Sequence, residues 1–141
     1  MFNEEKIRRE IKGLRDDLDI NWILSTLEKF IGKDSLQMIY PKNIFDRLSE
    51  DIEIIVYSKN SIYKATINKK ETCVEVDKID KSKLDYLKIK QYSGEKSLNG
   101  NLVLEIYINN GEVITLNSEK DSRNMFVDDY KSFIYEVIKN F

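Results

Sequence analysis

The chain has 141 residues, a net charge of −2, one cysteine and no histidine. Its length suits one domain that buries about two-thirds of its unfolded surface, and one cysteine allows neither an intramolecular disulfide nor a multi-cysteine metal site. The lack of histidine removes the commonest general base and transition-metal ligand, so we predict a non-enzymatic protein with no catalytic residues, no bound metal and no cofactor.

The sequence also argues against a membrane-spanning or secreted protein. No apolar run approaches the roughly 20 residues that a membrane span needs. Residues 1–5 lack the order of basic and then apolar residues that is typical of a signal peptide. We therefore expect a cytoplasmic protein without a transmembrane segment, and the net charge of −2 disfavours wholesale nucleic-acid binding.

Residues 1–48 are predicted to form an N-terminal helical extension. Between Glu4 and Leu18, aliphatic residues recur at spacings of four and three among charged ones, which predicts an amphipathic helix with a narrow apolar stripe. The stripe offers little buried area unless something covers it, so we expect its residues to mediate self-association. They are Ile7, Ile11, Leu14 and Leu18.

A second helix and a helical turn are predicted in the rest of this extension. Asp19 or Asn21 can cap the second helix, and Gly32 is well placed to end it in a left-handed conformation. Pro41 can then open a helical turn that continues through Leu48.

The period of the apolar residues changes to two after residue 51, which is typical of strands. Short polar turns separate apolar segments at about 52–57, 62–67 and 73–76, and a further strand begins near Tyr86. Residues 101–117 form the clearest hairpin: a three-residue turn with Gly111 left-handed sets Ile106 opposite Ile114 and Leu104 opposite Leu116. This spacing indicates an antiparallel meander.

A C-terminal amphipathic helix is predicted to cover the meander. A polar loop from Ser118 to Arg123 comes first, and Asp121 or Asn124 can cap the helix. We therefore predict an α+β fold in which a strongly bent antiparallel meander is closed by this helix. Its apolar residues fall at helical spacing: Phe126, Tyr130, Phe133, Ile134, Val137, Ile138 and Phe141.

Residues 79–90, the hairpin 101–117 and the final helix together resemble bacterial pleckstrin-homology-like (PH-like) domains. In those proteins, as in 79–90, two apolar residues around a short polar turn precede an alternating strand. The resemblance implies a PH-like barrel over residues 49–141, and residues before 49 have no counterpart in a minimal PH domain. The chain as a whole also resembles small bacterial proteins, a resemblance that implies no activity.

Lysines and tyrosines are concentrated in the predicted meander. Residues 59–96 carry ten lysines and six acidic residues, a local excess of four positive charges. Tyr86 and Tyr92 share the parity of Lys88 and Lys90, which suits stacking and anion binding. Solubilising lysines and tyrosines that pack across strands explain the same pattern.

Two further lysines, Lys59 and Lys64, fall where phosphoinositide-binding PH domains place basic residues, although no arginine joins them here.

Glu75 and Asp77 share one strand face and could in principle hold a magnesium ion, but two acids on an exposed strand face are the simpler interpretation.

These observations favour a non-enzymatic module that binds a protein partner or another copy of itself. The alternative is an anion-binding surface for lipid headgroups or single-stranded nucleic acid. It would use Lys59, Lys64, Tyr86, Lys88, Lys90 and Tyr92.

Overall fold

The computed structural model describes residues 1–46, 51–70, 72–94 and 100–141. Its helices are α1 (Glu4–Glu10), α2 (Ile20–Ile31), α3 (Ser118–Ser122) and α4 (Val127–Asn140). Its strands are β1 (Ile39–Lys42), β2 (Asp51–Tyr57), β3 (Ser61–Asn68), β4 (Cys73–Asp80), β5 (Leu84–Tyr92), β6 (Asn101–Ile108) and β7 (Val113–Asn117). Short 3₁₀ turns lie at Lys33–Ser35 and Lys81–Lys83.

The strands form two antiparallel sheets. Sheet A has the order β1-β2-β3-β4 and sheet B the order β5-β6-β7. This confirms the predicted α+β class and the antiparallel strands. The expected closed barrel is wrong for the described residues, because β4 and β5 belong to different sheets and do not pair.

Sheet A is buried on both faces, which explains why Ile54, Ile55 and Val56 are all buried in succession. On one face, the Tyr40 ring lies 4.8 Å from the Tyr130 ring of α4. Residues of the opposite parity in β2 and β3 are buried too, and α2 contacts β3 and β4. The N-terminal helices therefore share one hydrophobic core with both sheets and α4.

The first helix is shorter than predicted. It ends at Glu10 instead of Leu18, and residues 11–17 follow as turns. Gly13 disfavours a helix interior by about 1 kcal/mol relative to alanine. Arg15 leaves the predicted solvent face and is only 1% exposed, with Nε and Nη2 donating to the carboxylate of Asp17 at 2.8 and 2.9 Å and Nη1 donating to the carbonyl of Ile44.

Local capping and turn signals are confirmed where they depend on neighbours in sequence. Asp19 caps α2 and accepts from the Trp22 amide at 3.0 Å, and Gly32 ends the helix with φ +95°. The hairpin has the predicted register and a left-handed Gly111 with φ +94°.

Three predictions in the rest of the chain are wrong. Pro41 lies in β1, which is an edge strand. Proline has no backbone N–H to donate, and an edge strand tolerates this because it has a neighbouring strand on one side only. The predicted end of the helical turn, Leu48, lies outside the described residues. The loop 118–123 contains α3. Asp121 is buried and accepts from the Tyr40 hydroxyl at 2.7 Å, while α4 starts after a left-handed Phe126 without a side-chain cap.

We predict that Asp17→Asn lowers the free energy of unfolding by about 1–2 kcal/mol at pH 7, because it removes the carboxylate that pairs with the buried Arg15 guanidinium. The loss is modest because the Asp17 side chain is partly exposed and water screens the pair. Hydrogen bonding by Arg15 holds the pKa of Asp17 below its usual range. The stabilisation is therefore complete above the ordinary pKa of about 4 and is lost as the pH falls further.

Chemical denaturation of both proteins from pH 7 to pH 3 measures this difference. The gap should narrow as the pH falls below about 4. Asp16→Asn, which removes the same charge one position earlier, is the matched control and should unfold like the natural chain. A gap that stays constant across this range would contradict the assignment.

Candidate interaction surface

Strand β5 is a long edge strand. It spans nine residues and pairs with β6 along one side, with a register shift near Leu84 and Tyr86. No strand among the described residues pairs with its other side. Three large side chains on it are half-exposed: Tyr86 at 49%, Ile89 at 52% and Tyr92 at 52%. We call this strand and its unpaired side the β5 edge.

The short turn Lys81–Lys83 explains why the β5 edge is open. The Lys81 amide donates to the carbonyl of Asn60 in the β2–β3 turn at 3.0 Å, and the Lys81 ammonium lies 3.8 Å from the centre of the Tyr57 ring. At the other end, the Lys83 carbonyl accepts from the Asn109 amide of the β6–β7 turn at 2.9 Å. The first residue of this turn is therefore hydrogen-bonded to sheet A, and its last residue to sheet B.

The inward face of β5 is only partly covered. Leu87 and Ile89 lie opposite Ile106 and Leu104, whose side chains are in the core. Although Ile89 shares this core-facing parity, half of its surface remains exposed, on a strand whose free side pairs with no described strand. The open seam therefore exposes apolar surface that a closed barrel would bury.

The outward face of β5 brings together four residues that the sequence singled out. Tyr86 stacks on Tyr107 with ring centres 4.3 Å apart. The Lys90 ammonium lies 2.9 Å from a carboxylate oxygen of Glu105, and Lys88 is the direct cross-strand neighbour of the same glutamate. The remaining member, Tyr92, is opposite Asn101.

The charges on this face interact but do not cancel. Hydrogen bonding by Glu105 raises the pKa of Lys90, and Lys90 in turn holds the pKa of Glu105 below its ordinary value. Because one glutamate faces two lysines, the outward face keeps an excess of one positive charge, while Asp85 at the start of β5 brings the charge of the whole strand pair to zero.

The other two predicted basic residues lie elsewhere. Lys59 is in the β2–β3 turn and lines a cleft of about 520 Å³ together with Tyr57, Lys81 and Asn140. Lys64 is on β3, with its ammonium 3.8 Å from the Glu53 carboxylate. The structure therefore places the six residues of the predicted anion-binding set at three separate locations.

The predicted self-association stripe is covered by the chain itself. Ile7 and Ile11 are fully buried in the shared core, and Leu18 is half-buried against it. Leu14 alone keeps substantial exposure, at 37%. These positions thus give no continuous apolar face to a second molecule.

Sequence reasoning missed Ile89 as a surface residue. Its period-two position predicts a core contact, and periodicity carries no information about whether a strand lies at the edge of a sheet. The Lys81–Lys83 turn offered a weak signal, because a polar segment between two alternating strands marks a break in pairing.

Comparison of the chain with protein-family models, curated proteins and solved structures finds no match. Across the described ranges, no helix is long and apolar enough to cross a membrane. In the same residues, no group of three or more Cys, Asp or Glu side chains is arranged to hold a metal ion.

We predict that Ile89→Ala lowers the free energy of unfolding by less than about 1 kcal/mol, because the side chain is already half-exposed. Its cross-strand partner Leu104 is fully buried, and Leu104→Ala should cost about 2–5 kcal/mol. Urea denaturation of both variants at low protein concentration measures the contrast. Equal losses would mean that Ile89 is covered in solution.

Proposed function

We propose that this protein is a non-enzymatic interaction module that binds an extended strand, from a protein partner or from a second copy, at the β5 edge. The observation that carries the proposal is a nine-residue strand paired on one side only, with Tyr86, Ile89 and Tyr92 each about half-exposed.

Strand addition is the binding mode that such an edge favours. The unpaired side of a strand presents backbone N–H and C=O groups that an added strand can pair with, and alternate side chains then supply specificity. Covering the exposed half of Ile89 would contribute about 1 kcal/mol of apolar burial. The same surface would otherwise promote unspecific pairing.

The lysines define which strand fits. Two copies of β5 pairing in antiparallel fashion about Ile89 would set Lys88 opposite Lys90, and like charges directly opposite are destabilising. A strand with acids at alternate positions would instead meet both lysines, as Glu105 already does from the β6 side. The edge therefore disfavours its own sequence and favours an acidic, apolar-alternating one.

We also propose that residues 49–141 are a PH-like domain. The support is the order of elements within this range: strands β2 to β7 in two antiparallel sheets, followed by a C-terminal helix that packs on β6. Strand β1, which completes sheet A, comes from the residues before 49. Helices α1 and α2, which a minimal PH domain lacks, would then be an addition that covers the second face of sheet A.

Anion binding has weaker support than strand binding. Its lysines are spread over two sheets and a turn, and Lys64 and Lys90 already lie beside the carboxylates of Glu53 and Glu105. An added strand competes with the Lys90–Glu105 pair as well, but it meets Lys88 and Lys90 together in register, whereas a lipid headgroup or a nucleic-acid backbone finds the four lysines at three separate locations.

Selection from a displayed library of random nine-residue peptides tests the strand-binding proposal on the full chain. We expect enrichment of peptides that alternate Asp or Glu with apolar residues. With the variant Lys88→Glu, Lys90→Glu, the enriched peptides should carry Lys or Arg at the alternate positions, because the charge of the edge is reversed.

The matched control is Lys120→Glu, Lys139→Glu, which makes the same charge change on α3 and α4. It should select the same peptides as the natural chain. If no extended pattern is enriched, or if all three proteins select the same peptides, the β5 edge does not bind strands and the proposal fails.

A further inference from the structure

We propose that the strand bound at the β5 edge is β4 of a second copy of this chain, so that two molecules pair β4 with β5 at each of two junctions. This inference rests on the proposed function and adds the identity of the partner. It follows from the charges and the pairing state of the two edges.

Strand β4 is the second long edge in the described residues. It spans eight residues and pairs on one side with β3, with no described strand on the other side. Glu75 and Asp77 are exposed at alternate positions, and Val74 and Val76 alternate with them, opposite Ile67 and Ala65 of β3. This is the acidic, apolar-alternating pattern that the lysines of β5 favour.

One antiparallel register pairs both acids of β4 with both lysines of β5. Placing Asp77 opposite Lys88 sets Glu75 opposite Lys90, so two opposite-charge pairs form on one face. The same register places Val76 opposite Ile89 and Ile79 opposite Tyr86. From the Tyr92 end, the pairs are Tyr92–Cys73, Gln91–Val74, Lys90–Glu75, Ile89–Val76, Lys88–Asp77, Leu87–Lys78, Tyr86–Ile79 and Asp85–Asp80. The last is a like-charge pair beside the turn, so the register has two favourable charge pairs against one unfavourable pair.

Neither edge is suited to pair with itself. Two copies of β4 centred on Val76 would set Glu75 opposite Asp77, as two copies of β5 set lysine opposite lysine. A shift of one residue in the mixed register would turn the lysines to the face opposite the acids, because strand side chains alternate. Charge repulsion disfavours β4–β4 and β5–β5 pairs, and charge attraction favours the mixed β4–β5 pair.

The two edges of one molecule are held apart by the turn that joins them. Lys81 is bound to the β2–β3 turn and Lys83 to the β6–β7 turn, so β4 stays with sheet A and β5 with sheet B. Strand β4 ends at this turn and β5 begins there, so the two edges lie on either side of it. A two-fold axis beside it would pair β4 with β5 in both directions, which gives a closed dimer instead of an open chain.

Light scattering after size-exclusion chromatography, at total concentrations from about 1 μM to 1 mM, tests the dimer. The natural chain and the control Lys120→Glu, Lys139→Glu should dimerise equally. The variant Lys88→Glu, Lys90→Glu and the variant Glu75→Lys, Asp77→Lys should each weaken dimerisation about tenfold or more, because both of their junctions then oppose like charges.

Mixing the two charge-reversed variants provides the decisive arm. In an equimolar mixture each acidic edge meets a basic one at both junctions, so a heterodimer should form at concentrations where each variant alone is mainly monomeric. The single chain that carries all four substitutions should dimerise like the natural protein. Denaturation curves of each variant establish that the monomers are folded.

Other outcomes overturn the inference. A natural chain that is monomeric throughout the range, or variants that dimerise unchanged, would exclude β4–β5 pairing between copies. Loss of monomer stability in both double variants, restored in the fourfold variant without any dimer, would show that the two edges close within one chain. If the chain stays monomeric with open edges, enrichment of acidic peptides by the β5 edge would leave the proposed strand binding standing, whereas closure within one chain would exclude both proposals.

Discussion

The attachment of the Lys81–Lys83 turn to both sheets is the constraint on which the open arrangement depends. One end is fixed by a backbone hydrogen bond to Asn60 and by the Lys81 ammonium over Tyr57, the other by a backbone hydrogen bond from Asn109. Since the two Lys81 contacts hold the chain to sheet A and the Lys83 contact holds it to sheet B, β4 and β5 diverge although only three residues separate them. Two adjacent strand edges remain unpaired among the described residues as a direct result.

Because sheet A is buried on both faces, the hydrophobic core does not depend on pairing between β4 and β5. Helix α2 contacts β3 and β4 from one side, while Tyr40 and Tyr57 reach α4 from the other, with the Tyr57 hydroxyl donating to the Asn140 carbonyl at 2.8 Å. The core is thus continuous without any β4–β5 ladder. The fold can leave the seam open because its main apolar contacts lie elsewhere.

Features specified by neighbouring residues were predictable from the sequence, and those specified by distant contacts were not. Asp19, Gly32 and Gly111 act within a few residues, so the bounds of α2 and the register of the last hairpin followed from the pattern. The length of α1 depends on the burial of Arg15 against Asp17 and Ile44, which helical periodicity does not encode. The alternation of side chains along a strand predicted one shared face for four residues of β5: Tyr86, Lys88, Lys90 and Tyr92. It could not predict the exposure of Ile89, because alternation does not tell whether a second strand pairs with β5.

Residue-resolved amide hydrogen exchange of the dilute protein is the most direct measurement of whether the β4–β5 seam is open. The amides of β5 that point away from β6, and those of β4 that point away from β3, should exchange rapidly while amides in the paired strand β6 are protected. Alternating fast and slow amides along both edges is the predicted result. Uniform protection along β4 and β5 at concentrations where the protein is monomeric would mean that the two strands pair within the chain, and would contradict the account.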